Sequence, residues 1–254
     1  MNIAIITGAS SGLGREFALK LNKGYKDINE FWLVARRENR LKRLAKLLNK
    51  RARIFILDLE REDSVKLIEK TLLKVKPNIK YLVNAAGFGL IAEIGKYSAY
   101  EEARMIDLNV KALTMLTNIC LPYTKRGSEI FMLASAAAFM PQPGFAVYAA
   151  TKAYVLSYSS ALRQEQEKRG VRVLAVCPGP VATEFFDKAE KKYSTKLYKK
   201  LFMAEAKAVV SKAIVDAELK KGISVYSLGM NLFRISAKLM PQSLLLKILN
   251  KLRQ

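Results

Sequence analysis

The chain has 254 residues, with 44 Lys and Arg against 22 Asp and Glu, no His, and a net charge of +22. With 51% hydrophobic residues and only 7 Pro it reads as a globular chain able to bury a sizeable core, which excludes a disordered protein. The missing His excludes a Ser-His-Asp triad, a Cys-His dyad and an HExxH zinc site.

Cys120 and Cys177 lie far apart in apolar runs without metal-ligand spacing, so buried thiols and no metal are expected. Met1 to Ile6 runs straight into an apolar strand with no signal-peptide pattern, and no apolar stretch nears the roughly 18 residues of a membrane span. A cytoplasmic protein is expected. The charge invites a nucleic-acid reading, but the Lys and Arg are scattered through helical segments with no binding motif, so nucleic acid is not an expected partner.

In chain order, Ile3 to Thr7 reads as a buried strand, "GASSGLG" as a glycine loop, and Leu13 to Lys23 as a helix. Strands follow at Glu30 to Ala35, Arg53 to Leu59 and Lys80 to Gly87, separated by helices at Glu38 to Lys50 and Asp63 to Lys76. A long helical region spans Tyr97 to Arg126, then a strand at Glu129 to Ser135, a helix at Val147 to Arg169, and strands at Val171 to Gly179 and Ile223 to Ser227. Short apolar strands alternating with helices predict an α/β fold: one Rossmann-type, doubly wound parallel sheet of about seven strands with helices on both faces. No linker or repeat splits the chain, so residues 1–254 form a single expected domain. Residues 183–204, with "KAEKKYSTKLYKK", break the alternation and read as a charge-rich lid.

Residues 229–254 form a basic tail, since no acidic residue follows Glu218. Within "SLLLKILNKLR", Leu245, Ile248, Leu249 and Leu252 fall at helical spacing opposite Lys247 and Lys251. Such a helix could lie on a membrane surface. Packing on the domain or on a second subunit explains it as well and is the preferred reading.

The loop Gly8, Ser10, Ser11, Gly12, Leu13, Gly14 joins the first strand to the first helix. Glycines there let the backbone approach a ligand, and the helix N-terminus offers N–H groups to a pyrophosphate. The spacing is not GxGxxG, and a tight turn that binds nothing is the alternative. In dinucleotide-binding folds the second strand ends in an acid for the ribose hydroxyl. Here Arg36 and Arg37 stand instead, and guanidinium groups suit a 2′-phosphate, which favours NADP(H) over NAD(H). Two arginines solvating a loop are the alternative. Asp58, beside Leu59, would accept from an adenine amino group or cap the next helix.

"YAATK" sets Tyr148 and Lys152 four residues apart on one helix face. Read alone, the pair is equally an ordinary helix surface or a phenol tuned by an ammonium. Together with TGASSGLG at 7–14, NAAG at 84–87, Asn109 in "DLNVKA", Ser135 in "LASAAA" and PGPVAT at 178–183, it resembles the short-chain dehydrogenases/reductases across residues 3–227.

The resemblance implies hydride transfer between a nicotinamide cofactor and a carbonyl, with Tyr148 as general acid/base and Lys152 lowering its pKa. It further implies that Ser135 polarises the carbonyl and that Asn109 organises a water link from Lys152. Asn84, Ala85 and Gly87 would wall the adenosine, and Pro178, Gly179, Val181 and Thr183 would hold the carboxamide. It also implies a homodimer or homotetramer through the helices at 97–126 and 147–169. The apolar segments "FMPQPGFA" and "EFFDK" suggest a hydrophobic or bulky ketone. A cofactor-binding sensor or scaffold without turnover, and a membrane-surface reductase of lipid-like substrates, are the competing functions.

Overall fold

Near-continuous apolar runs give the strands two buried faces, and both are covered. A computed structural model of the chain describes residues 1–189, 203–241 and 243–247. Strands β1 (Asn2–Thr7), β2 (Glu30–Ala35), β3 (Arg51–Ile56), β4 (Asn78–Asn84), β5 (Glu129–Leu133), β6 (Arg172–Val176) and β7 (Ile223–Ser224) form one sheet. Its order is β3-β2-β1-β4-β5-β6-β7, and every pairing is parallel. Ile3, Ile5, Trp32, Val34, Leu82, Ile130 and Met132 pack on one face. Ala4, Ile6, Phe31, Leu33, Val83, Phe131 and Leu133 pack on the other. This alternation is the period-2 strand pattern.

Each face recruits the helices whose apolar stripes meet it. Helix α3 (Glu62–Val75) brings Val65, Ile68 and Leu72 to the first face, α5 (Leu113–Cys120) brings Leu113 and Leu116, and α6 (Ala146–Glu167) brings Val155 and Leu162. Helix α1 (Gly12–Gly24) brings Phe17, Ala18 and Leu21 to the second, α2 (Glu38–Lys46) brings Leu41 and Leu44, and α8 (Ala206–Glu218) brings Val209, Val210 and Ala213. The remaining helices are α4 (Ala99–Ile106), α7 (Glu184–Ala189) and α9 (Leu228–Leu239). From β1 the connections run outward to β2 and β3, then cross back to β4 beside β1. That reversal opens a crevice above the carboxyl ends of β1 and β4, where such sheets bind ligands.

Several element boundaries differ from the sequence reading, and β3 to β6 each end two or three residues early. The long helix expected over Tyr97 to Arg126 is three pieces: α4, capped by a reciprocal Ser98–Glu101 box, a π-helical turn at Asp107–Ala112, and α5. It stops at Cys120 because Pro122 closes it in a short 3-10 turn. The second helix ends at Lys46, not Lys50, where Leu48 tucks into the core and Asn49 N–H donates to Asn22. Strand β3 starts two residues early, because β2 offers partners from Glu30 onward. Strand β7 is only Ile223–Ser224; the chain turns away at Ser227, whose φ is +78°.

The base of the expected lid at 183–204 is pinned, since Val181 and Ala204 bridge in parallel and Ala182 N–H donates to Ala204 O at 2.9 Å. Residues 190–202 lie outside the described residues. So do Ile248, Leu249, Lys251 and Leu252 of the expected amphipathic tail; Leu245 is buried, away from the solvent. No helix among the described residues is long and apolar enough to cross a membrane.

Candidate active site

Above the β1–β4 crevice lies a cavity of about 1370 Å³. One end is the glycine loop. Gly8 has φ +64° and Gly12 φ +53°, the left-handed region that favours glycine. Gly14 is needed for packing: a Cβ there would stand 2.6 Å from Gly8 O. Ser11, the N-cap of α1, makes no side-chain capping bond, so the first-turn N–H groups face the cavity mouth. Backbone without side chains at a helix N-terminus fits a pyrophosphate.

Arg37 lies across this loop. Its Nε and Nη2 donate to Ser10 Oγ at 3.2 and 3.0 Å, and Nη2 also donates to Ser11 Oγ at 2.6 Å. Its Nη1 donates to Glu184 at 2.7 Å, and Arg40 pairs with the same carboxylate. Hydrogen bonds from the two guanidinium groups pull the Glu184 carboxyl down to about 2. Arg36 points elsewhere, to Glu60 at 3.3 Å and Asp58 at 3.5 Å. Asp58 also accepts from Glu60 N–H at 3.2 Å, a local turn bond. The sequence singled out Arg36 and Arg37; of the two only Arg37 lies on the loop, and Arg40 and Glu184, which join it, were not singled out. No local signal joins them: Glu184 is 147 residues from Arg37 along the chain.

At the far end Tyr148 and Lys152 share one face of α6, both buried, with the Lys152 Nζ 5.6 Å from the centre of the Tyr148 ring. Lys152 donates to Leu133 O, at the end of β5, at 2.6 Å. Burial lowers its pKa to about 8. Tyr148 stacks on Phe145 (centroids 4.2 Å apart) and tilts against Phe185 at 5.3 Å. Ser135 lines the cavity just past the end of β5, its Oγ accepting from Ala137 N–H at 3.1 Å. The second thiol, Cys177, is buried and pushed up to about 12, which excludes a thiolate at neutral pH.

The wall contains Gly8, Ser10, Ser11, Gly12, Leu13, Gly14, Arg36, Arg37, Asp58, Leu59, Ala85, Gly87, Ser135, Tyr148, Lys152, Pro178, Gly179, Val181 and Thr183. Two expected residues do not reach it. Asn84 turns inward, donating to Thr117 Oγ1 at 3.0 Å and to the Met132 sulfur, so it ties β4 to α5 and does not wall the cavity. Asn109 sits behind Gly87, in the π-helical turn. It accepts from Phe88 N–H at 3.1 Å and donates to Phe88 O at 2.9 Å and Thr151 Oγ1 at 3.1 Å. A Cβ on Gly87 would be 2.9 Å from Asn109 Oδ1 and 3.5 Å from Lys152 Nζ, so the three are packed together. Single π turns of this kind gather at functional sites.

Comparison with known proteins agrees with this geometry. A family model described as short chain dehydrogenase matches residues 2–194. Sulfoacetaldehyde reductase 2 of Chromohalobacter salexigens is 37% identical over 191 residues, covering 72% of this chain and 74% of that one. An uncharacterised oxidoreductase of Staphylococcus epidermidis is 34% identical over 183 residues, covering 71% and 78%. The fold matches that of a short-chain dehydrogenase from Sphingobium yanoikuyae in complex with NADPH, with TM-score 0.80 and 27% identity over 96% of this chain and 95% of that one. The chain belongs to the short-chain dehydrogenase/reductase family, oxidoreductases that bind a nicotinamide cofactor.

Proposed function

We propose that the chain is an NADP(H)-dependent oxidoreductase that interconverts a hydrophobic or bulky ketone or aldehyde with its alcohol. The observation that carries the reading is the convergence of Tyr148, Lys152 and Ser135 at one end of a cavity whose other end is the glycine loop. The cofactor, when bound, supplies or accepts the hydride. The glycine loop would take its pyrophosphate, and Arg37 its 2′-phosphate, the Ser10 and Ser11 hydroxyls adding donors. Asp58, Leu59, Ala85 and Gly87 would flank the adenosine, and Pro178, Gly179, Val181 and Thr183 the carboxamide.

Ser135 accepts a backbone N–H and its own O–H can point at a substrate carbonyl oxygen. Tyr148 would hand its phenolic proton to that oxygen in reduction and take it back in oxidation. An ordinary phenol has a pKa of about 10, and bringing it near neutrality requires roughly 4 kcal/mol of preferential support for the phenolate. The Lys152 ammonium, held beside the ring in a water-poor site, would supply much of that. Asn109 acts as a positioning residue, fixing Phe88 and Thr151 and through them the α6 face. Phe88, Met140, Phe145, Phe185 and Phe233 make the remaining wall apolar, which supports the substrate class.

We further propose one domain with 183–204 as its lid, since the pinned Val181–Ala204 base lets the segment leave and return at one point. Exposed Tyr100, Ile106 and Tyr154 on α4 and α6 support a homo-oligomer through those helices. Following NADPH absorbance over a panel of ketones tests the reading. Tyr148→Phe should cut turnover roughly 10²–10⁴-fold while NADPH affinity stays within a factor of about two; near-normal turnover would refute the proton-transfer role.

A further inference from the structure

Helix α9 has two apolar faces, and among the described residues only one is covered. On the inner face, Met230 lies against Gly179, where a Cβ would come within 2.7 Å of its sulfur, and Phe233 tilts against Phe139 with centroids 6.3 Å apart. With Met240 and Leu245 these residues wall the cavity. On the outer face, Leu228, Leu232, Ile235 and Leu239 are 84%, 64%, 48% and 77% exposed. Steps of four, three and four residues line them up in one stripe about 60° wide. Leu244, beyond the helix end, is 45% exposed as well. Single exposed leucines are ordinary; a continuous line of them marks a surface that is covered in use.

Charge identifies the cover. After Glu218 the sequence has no Asp or Glu and seven Lys and Arg, among them Lys238 on α9 itself and Lys247 after it. A second copy would bring an equally basic surface against it, on a chain of net charge +22. An anionic lipid surface offers acyl chains to the leucines and headgroup charge to the lysines.

We infer that α9 docks on an anionic membrane surface, with the Leu228–Leu239 stripe among the acyl chains. The cavity then draws an apolar, membrane-dissolved carbonyl substrate past Met230 and Phe233. The substrate half rests on the oxidoreductase reading; the docking half does not.

Co-sedimentation tests docking, using the full chain with phosphatidylcholine vesicles and with phosphatidylcholine/phosphatidylglycerol vesicles. The wild type should pellet with the anionic vesicles only, and salt should release it. Leu228→Ser/Leu232→Ser/Leu239→Ser should weaken pelleting at least tenfold, by roughly the burial lost at three leucines. Lys238→Glu/Lys247→Glu should weaken it also, and both variants should reduce a short water-soluble ketone as the wild type does. Equal pelleting of the serine variant, or of the wild type on neutral vesicles, overturns docking. So does a wild-type dimer that the serine variant dissociates, with no vesicle binding: a second copy then covers the stripe. Docking without turnover of any ketone would overturn the oxidoreductase reading and leave docking standing. A short soluble ketone turned over as well as a long-chain ketone in vesicles would overturn the substrate half.

Discussion

Lys152 is 5% exposed, and its ammonium has been taken out of water to sit at the end of β5. Burial lowers its pKa from 10.5 to about 8. Because the folded pKa lies below the unfolded one, the unfolded chain holds more protons between pH 8 and 10.5, and the folded state gains stability as pH rises through that window. At about 1.4 kcal/mol per pH unit, the gap between 10.5 and about 8 means that keeping this lysine charged costs the fold roughly 3 kcal/mol at pH 7. Lys152→Met keeps the stem and removes the charge, at the loss of the bond to Leu133 O, about 1 kcal/mol. The variant should therefore be about 2 kcal/mol more stable than the wild type at pH 7 while turnover collapses. That advantage should disappear by about pH 10, because the wild type recovers over the intervening range. Guanidinium unfolding of both proteins at pH 7 and 10 reads this double difference. A variant destabilised equally at both pH values would refute the argument that a buried charge is held here for chemistry.

Arg37→Ala should raise the NADPH Kd roughly 10- to 100-fold and leave the NADH Kd unchanged, since charge-assisted bonds of about 1.5–3 kcal/mol go with the guanidinium; fluorescence titration of both cofactors checks it. Gly14→Ala should destabilise the fold by about 1–3 kcal/mol and weaken both cofactors, because its Cβ would press on Gly8 O; thermal melts with and without cofactor measure this. Glu184 contributes stability that is present above its ordinary pKa of 4.5 and lost as pH falls through about 2. Being partly exposed, its pairs with Arg37 and Arg40 are worth less than about 1 kcal/mol, so wild type and Glu184→Gln should differ slightly at pH 7 and coincide near pH 2 in acid unfolding.

The strands and the glycine loop were legible because their signals are local: alternation sets a strand, and glycine at a βα junction sets a turn. The YAATK pair was legible only with its companions, since i and i+4 neighbours occur on any helix. Asn84 could not be placed from its motif, because the direction of its side chain is decided by Thr117 on another element. The π turn at Asp107–Ala112 was hidden for a similar reason, as "DLNVKA" is acceptable α-helix until Asn109 is pulled toward Phe88. Helix α9 misleads in a different way. Its polar stripe, Asn231, Arg234 and Lys238, runs between two apolar faces, so the sequence does not say which of the two meets solvent. The tail reading settled instead on 245–252, where lysines draw a clear boundary.

The surroundings of Tyr148 oppose one another, and the balance argues for a direction of proton flow. Phe145 and Phe185 exclude water from the ring, which disfavours a phenolate. Lys152 favours one, but only while charged, and its pKa of about 8 leaves it charged at neutral pH and neutral well above. On the proposed reading, a reduced nicotinamide would bring no positive charge to the site. An oxidised cofactor bound in the cavity would add a second cation to the site, which favours the phenolate. On the proposed reading, the charge on the cofactor would decide whether Tyr148 gives or takes the proton, and Lys152 would supply the constant part of that field.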